Sequence, residues 1–172
     1  GVTTGEGQLV DVGTLFNSEV KSDEVKVKIG DDTKDFTVVA GTDLSALLGK
    51  KVKFWKNSDG EVFFAQSKTS ASDIKTDTVK TNATDKITLK DADKEYSKAS
   101  DFKLVRNKSF DSALEPDEIK DYKGKFVLNA KGEISFAVVT KYSTAVVKSV
   151  SADGTGINPV AGSFFDLKDA KV

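Results

Sequence analysis

Residues 53–65 read KFWKNSDGEVFFA, and residues 125–137 repeat this stretch in altered form as KFVLNAKGEISFA. In each copy, Asn, two variable residues and Gly separate two runs of strand-forming residues. This spacing is typical of a β-hairpin whose loop is built on a type I turn, with Gly in the left-handed conformation. The repeat predicts two hairpins, with structural turn residues Asn57 and Gly60 in the first and Asn129 and Gly132 in the second.

The turn also predicts which residues of the two strands oppose each other. Counting back from the turn places Phe54 opposite Phe64, on the face that is expected to meet the core. Trp55 then opposes Phe63 on the other face. In the second hairpin the same count places Phe126 opposite Phe136 and Val127 opposite Ser135.

The rest of the chain indicates further repetition. Residues 87–97 match residues 27–37 in pattern, and residues 165–170 resemble residues 88–92. We therefore expect a first β module at residues 1–72 and a second at residues 73–143. Residues 144–172 are either the start of a third module or terminal strands that complete the second.

Alternating apolar and polar residues, as in Val25-Lys26-Val27-Lys28-Ile29, indicate half-buried strands. Short helices are predicted at residues 42–49, which end in Gly49, and at residues 116–124, which begin with Pro116. The predicted fold is mainly β: tandem small sandwich-like or barrel-like modules, each with a short helical connection.

The composition argues against several functions. The chain has 172 residues, a formal net charge of -1 and no Cys, His or Met. It therefore lacks thiol nucleophiles, imidazole acid-base groups and Cys/His metal sites, and no nucleophile-base pair can be named, so we expect no enzyme activity and no catalytic residues. Arg106 is the single Arg, which disfavours nucleic-acid binding. No apolar run is long enough for membrane insertion.

Trp55 and Phe63 are the candidate binding residues. An aromatic pair on a face turned away from the core could stack on a sugar ring or form a protein contact. The simpler interpretation is that both side chains pack between modules or against their own chain.

Acidic turns at Asp31-Asp32, at Asp91-Ala92-Asp93 and at Asp153 raise the question of calcium. None of them reproduces an EF-hand loop or a glycine-aspartate repeat, so turn chemistry explains them more simply and no metal ligand is assigned. A calcium ion shared between loops of neighbouring modules stays an open alternative.

The repeated pattern resembles the β-rich repeats of bacterial surface-layer (S-layer) proteins, which often accompany surface-layer homology modules. The shared features are an acidic turn before Lys-x-Tyr/Phe, a predicted helix closing in Gly-Lys, and a Phe-bearing strand followed by Asn-x-x-Gly-Glu-Val/Ile. They cover most of residues 7–140.

The resemblance implies a structural component of an extracellular coat at the cell surface, self-assembling into a lattice with calcium. A secreted polysaccharide-binding module, with cell-wall polysaccharide as its ligand, and a viral capsid or tail component are the alternatives.

Overall fold

The structure is a computed structural model, and it describes residues 1–111, 115–141, 147–150 and 157–159. Strands dominate this part of the chain, which confirms the mainly-β prediction. The strands are β1 (Thr3–Val12), β2 (Glu24–Ile29), β3 (Asp32–Thr37), β4 (Lys51–Lys56), β5 (Val62–Ser67), β6 (Ile74–Asn82), β7 (Lys86–Leu89), β8 (Lys94–Arg106), β9 (Ser109–Asp111), β10 (Lys123–Leu128), β11 (Ile134–Thr140), β12 (Val147–Val150) and β13 (Ile157–Pro159).

The first sheet has the strand order β3-β2-β1-β4-β5, and all neighbouring strands run antiparallel. Its two edges approach each other at one point. There, Val38 and Val62 form an isolated parallel bridge, and the Val39 amide donates to the Val62 carbonyl at 2.9 Å. Among the described residues no other backbone pairing joins the two edges, so most of β3 and β5 keeps a free edge.

The second sheet has the strand order β11-β10-β6-β7-β8-β9, and β11 also pairs with β8 in parallel. This extra pairing closes β6, β7, β8, β11 and β10 into a five-stranded barrel, with β9 attached outside it. The barrel strands lie in the order β8-β7-β6-β10-β11. If the five strands of each sheet are numbered along the chain, this is the same spatial order as β3-β2-β1-β4-β5 of the first sheet. Both arrangements are five-stranded Greek-key designs, an architecture shared with OB-folds.

The hydrophobic core has two parts. One fills the barrel, where alternate residues of each strand point inward and Ile119 joins them from the turns before β10. The other belongs to the first sheet, but it also contains Val105, Val127 and Phe136 from the outside of the barrel. The core of the first sheet is therefore completed by side chains of the second.

Regular helices are not present where the sequence predicts them. Within residues 42–49 the structure has a single 3-10 turn at Ser45–Leu47, and Pro116 to Asp121 form consecutive turns. Helical segments of eight or nine residues are marginal on their own, so tertiary contacts decide whether they form. The Asp43 carboxylate also accepts the Ser45 amide at 2.9 Å, which favours a turn.

The two hairpin turns agree with their prediction. The Asn57 amide donates to the Glu61 carbonyl at 2.9 Å, and Gly60 is left-handed with φ +80. The Asn57 Oδ1 atom accepts the Asp59 and Glu61 amides, each at 3.0 Å. The second turn repeats this network at Asn129, Lys131, Gly132 and Glu133.

The predicted strand register next to these turns is wrong. Phe54 lies opposite Ala65, not Phe64, and Trp55 lies opposite Phe64, not Phe63. A β-bulge causes the shift, because Phe63 is an extra residue between two paired positions. Ser135 is the extra residue of the second hairpin, where Phe126 opposes Ala137 and Val127 opposes Phe136.

The division of the chain at residues 1–72, 73–143 and 144–172 stays a prediction. Of the last segment, the structure describes β12 and β13, which form a two-stranded antiparallel sheet with each other. The predicted resemblance of residues 165–170 to residues 88–92 lies outside the described residues.

The Asp77 carboxylate stabilises the turn between β7 and β8 through hydrogen bonds. Its side chain is 5% exposed, and its two carboxylate oxygens accept the amides of Asp91 and Ala92, each at 2.9 Å. Burial alone would raise the pKa of Asp77, but hydrogen bonds from the backbone amides of Asp91, Ala92 and Thr78 outweigh it and lower the pKa. The acidic turn is thus built around a buried carboxylate.

Asp77→Asn is expected to lower the free energy of unfolding near neutral pH by about 1–3 kcal/mol, because charge-assisted hydrogen bonds are lost. A carboxyl with a lowered folded-state pKa stabilises the protein above its unfolded-state pKa and loses this contribution as the pH falls through the folded-state pKa. The difference between wild type and variant should therefore shrink below about pH 4. Urea unfolding over a pH series measures it.

The matched control is Asp31→Asn, in the exposed turn between β2 and β3, which should change stability little at any pH. An Asp77→Asn loss that stays constant from neutral to acid pH would contradict the assigned role.

Candidate functional site

The outer face of the β4–β5 hairpin carries the candidate binding residues. Residues directly opposite each other in an antiparallel pair share a face, so Lys53 and Gln66 lie beside Trp55 and Phe64. We call these four residues the aromatic face. Phe63 borders it at the bulge.

The aromatic face is built around two aromatic rings in tilted contact. The ring centroids of Trp55 and Phe64 lie 5.2 Å apart at an interplanar angle of 50°, and the Lys53 ammonium lies 5.1 Å from the Trp55 ring centre. Trp55 is half-buried, whereas Phe63 is 39% and Phe64 49% exposed. Sequence reasoning identified Trp55 and Phe63, but it assigned Phe64 to the core; the bulge puts Phe64 on the surface instead.

The same positions of the second hairpin have a different environment. In the β10–β11 pair, Lys125 and Val138 lie beside Val127 and Phe136, and we call these four the matching face. Val127 is 5% exposed and Phe136 1% exposed, and both belong to the core that the first sheet builds. One hairpin therefore offers an open apolar face where the other is covered.

The backbone at Gly49 covers the matching face by lying directly against the Phe136 ring. A Cβ atom placed on Gly49, in the connection before β4, would lie 2.6 Å from Cγ of Phe136. Gly49 has φ +82, a conformation that also favours glycine. Phe110 flanks the same ring edge-on, with centroids 6.5 Å apart. A side chain at Gly49 would therefore displace the Phe136 ring.

A network of backbone hydrogen bonds joins the two sheets beside this contact. The Phe16 amide donates to the Lys108 carbonyl at 3.2 Å, and the Phe110 amide donates to the Phe16 carbonyl at 3.0 Å. Asn17 adds a side-chain bond to the Ser109 hydroxyl at 3.0 Å. The sheets therefore share directed bonds as well as apolar surface.

Arg106, the single Arg, has a structural position. Its guanidinium contacts the carboxylates of Asp111 and Glu118, each at 2.6 Å. Burial would lower the pKa of Arg106, but the hydrogen bond to Glu118 and the charges of Asp111 and Glu118 raise it. The ion pairs tie the turns before β10 to strands β8 and β9.

A cleft of about 590 Å³ lies between the loop after β1 and strands β8 and β9. Asp11, Glu19, Lys98, Phe102 and Phe110 are among its lining residues. Sequence reasoning missed it, because its walls come from distant parts of the chain. The Asp11 carboxylate is 2% exposed and accepts the Ser18 hydroxyl at 2.7 Å and the Glu19 amide at 2.9 Å, so it serves the loop.

The acidic turns do not form a calcium site within the described residues. Asp93 pairs with Lys80 at 3.1 Å, and the amides of Asp91 and Ala92 point at Asp77. In the described ranges no group of three or more carboxylate, imidazole or thiol side chains converges on one point. The turn at Asp153 lies outside those ranges.

No helix in the described part of the chain has the length and apolarity needed to cross a bilayer.

Phe64→Ala and Phe136→Ala form a matched pair, since the two residues occupy the same position of their hairpins. We expect Phe136→Ala to lower the free energy of unfolding by about 3–5 kcal/mol, because it opens a cavity in a shared core. Phe64→Ala should cost less than about 1 kcal/mol, as expected for a surface position. Denaturant unfolding of both variants measures the difference. Equal losses would contradict the assignment of the aromatic face as open.

The sequence matches no known protein family model. No curated protein resembles it significantly either. Function therefore has to be inferred from the arrangement of residues.

Proposed function

We propose that this chain is a structural building unit of an extracellular protein coat, similar to a bacterial surface layer. It works through contacts between modules and between chains at the cell surface, without catalysis. Its partners are further copies of itself, and calcium bridges chains. The proposal rests on the repeated motifs and on the way in which the two sheets pack.

Backbone hydrogen bonds support a modular architecture. The Gly49 amide donates to the Leu9 carbonyl at 2.7 Å, and the Asp121 amide donates to the Val79 carbonyl at 2.9 Å. In both sheets the residue after the acceptor is an extra, bulged residue: Val10 follows Leu9 in β1, and Lys80 follows Val79 in β6. Two stretches of different sequence thus repeat the same local construction, as expected for tandem modules.

The observation that carries the proposal is the interface between the sheets. Val127 and Phe136 are buried against the first sheet, and the bonds between Phe16, Lys108 and Phe110 fix the orientation of the contact. Stacked units with directed interfaces form stiff, extended structures. Such a structure suits a coat, in which each chain has to hold a fixed shape.

The first sheet also offers surfaces for contacts between chains. Among the described residues, β3 and β5 keep free edges apart from the Val38–Val62 bridge, and free edges can pair with other strands. Lys34 on β3 places charge at one edge, which limits unwanted pairing. The aromatic face borders the other edge.

We expect light scattering of the purified chain to rise with protein concentration when calcium is present and to fall when a chelator is added. The described carboxylates of one chain do not converge in groups of three or more. Calcium shared between chains would take oxygen ligands from both and so favour the assembled form. Magnesium at the same ionic strength is the control, because it dehydrates reluctantly and seldom bridges protein carboxylates. A chain that stays monomeric in both conditions would contradict the coat proposal.

A second candidate function is polysaccharide binding, favoured by the adjacent, partly exposed rings of Trp55 and Phe64. An exposed aromatic ring can pack against the apolar face of a sugar. Trp55→Ala separates the two proposals. Loss of binding to cell-wall polysaccharide with unchanged calcium-dependent scattering would favour the glycan-binding function, and unchanged retention on the polysaccharide would exclude Trp55 from it.

A further inference from the structure

We propose that the aromatic face is the docking surface for a further β unit of the same kind as residues 1–70. That unit lies on Trp55 and Phe64 in the way that the first sheet lies on Val127 and Phe136. The inference rests on the modular architecture proposed above, and it names the unit that fits and the face that receives it.

The two faces correspond residue by residue. Trp55 pairs with Phe64 and Val127 with Phe136, each pair next to a one-residue bulge. The neighbouring strands correspond as well, because Thr4 pairs with Trp55 and Ile74 with Val127. The two faces therefore share their strand register and bulge position, and among the described residues the matching face is covered by the other sheet whereas the aromatic face is open.

The neighbour that covers the matching face makes one demanding contact. Gly49 approaches Phe136 so closely that any side chain at Gly49 would overlap the ring. Phe64 is also a phenylalanine, at the position of Phe136, so a unit that docks on the aromatic face in this way needs glycine at the position of Gly49.

This requirement excludes a second copy of the present chain in the same docking geometry. In the second sheet, Asp121 occupies the position that Gly49 has in the first. The Gly49 amide donates to the Leu9 carbonyl, and the Asp121 amide donates to the carbonyl of Val79, the residue that corresponds to Leu9. Asp121 carries a Cβ and therefore cannot approach Phe64 as Gly49 approaches Phe136. The Gly49 of another copy already contacts its own Phe136. The partner that fits is a further unit that has glycine at the position of Gly49 and in which no phenylalanine ring already contacts that glycine.

The larger indole ring of Trp55 in place of Val127 is compatible with this docking. Strand β9 brings Phe110 against Phe136 in the second sheet. The first sheet has five strands and no counterpart of β9. The position that Phe110 takes beside Phe136 therefore has no equivalent strand residue beside Phe64.

The chain itself shows how such a unit would be attached. Because Thr4 corresponds to Ile74, residues 1–3 correspond to residues 71–73. Joining Ser70 of an added unit directly to Gly1 reproduces the spacing between the two present units. This defines a tandem protein, residues 1–70 followed by the full chain, with the proposed contact in reach.

The experiment measures Trp55 of the full-chain portion in this tandem protein. Trp55→Phe in the added unit leaves one tryptophan as reporter, since the chain has a single Trp. We expect its emission maximum to move to shorter wavelength and its acrylamide quenching constant to fall several-fold relative to the original chain. Unchanged emission and quenching would overturn the proposal.

The control is the same tandem protein with Gly49→Asp in the added unit. Aspartate tolerates this backbone conformation, since Asp121 adopts φ +68 at the corresponding position. The variant should restore the quenching of the original chain. If Trp55 stays protected from acrylamide in this variant, it is buried by a contact other than the one through Gly49, and the proposed docking geometry is overturned.

A reciprocal tandem protein, with Trp55 kept in the added unit and Trp55→Phe in the full chain, reports on folding of the added unit. The added unit has to fold with Trp55 and Phe64 as its cover, although in the original chain Val105 joins Val127 and Phe136 in that role. An unfolded added unit therefore counts against the proposal. Both measurements are made on monomers, so their outcome is independent of whether the original chain assembles with calcium.

Discussion

One extra residue in a strand determines how this molecule is put together. The bulge at Ser135 turns Phe136 to the outside of the barrel, while Phe126 stays inside it. Without the bulge both rings would lie on one face, because side chains alternate along a strand. The bulge therefore supplies the first sheet with a phenylalanine from another strand system. The interface between the sheets follows from this displacement.

The same bulge in the first hairpin has a different result. Phe63 is the extra residue, and Phe64 points outward and contacts the Trp55 ring at a tilt. Exposed aromatic rings are costly to leave in water, and contiguous ones usually mark a contact surface. The two hairpins show the covered and the open state of one design, which is why the aromatic face is better understood as half of an interface than as an isolated patch.

Features that depend on local chemistry were predictable from the sequence. The turns at Asn57–Gly60 and Asn129–Gly132 follow from the conformational freedom of glycine and the hydrogen-bonding of asparagine, and alternation identified strands such as β2. The register of the hairpins was not predictable, because a bulge leaves no clear signal in composition. One misplaced residue exchanged the two faces, so Phe64 was assigned to the core. The partnership of Gly49 with Phe136 joins residues far apart in the chain, and a single sequence contains no measure of such contacts.

The shared core also has a consequence for the order in which the chain acquires its structure. Synthesis proceeds from the N terminus, so residues 1–72 leave the ribosome before Val105, Val127 and Phe136 have been made. During that interval the first sheet lacks three of the side chains that fill its core, whereas the barrel is closed by strands of its own. The core of the first sheet can be completed only after β11 has been made, so the N-terminal half depends on side chains of the C-terminal half for its full packing.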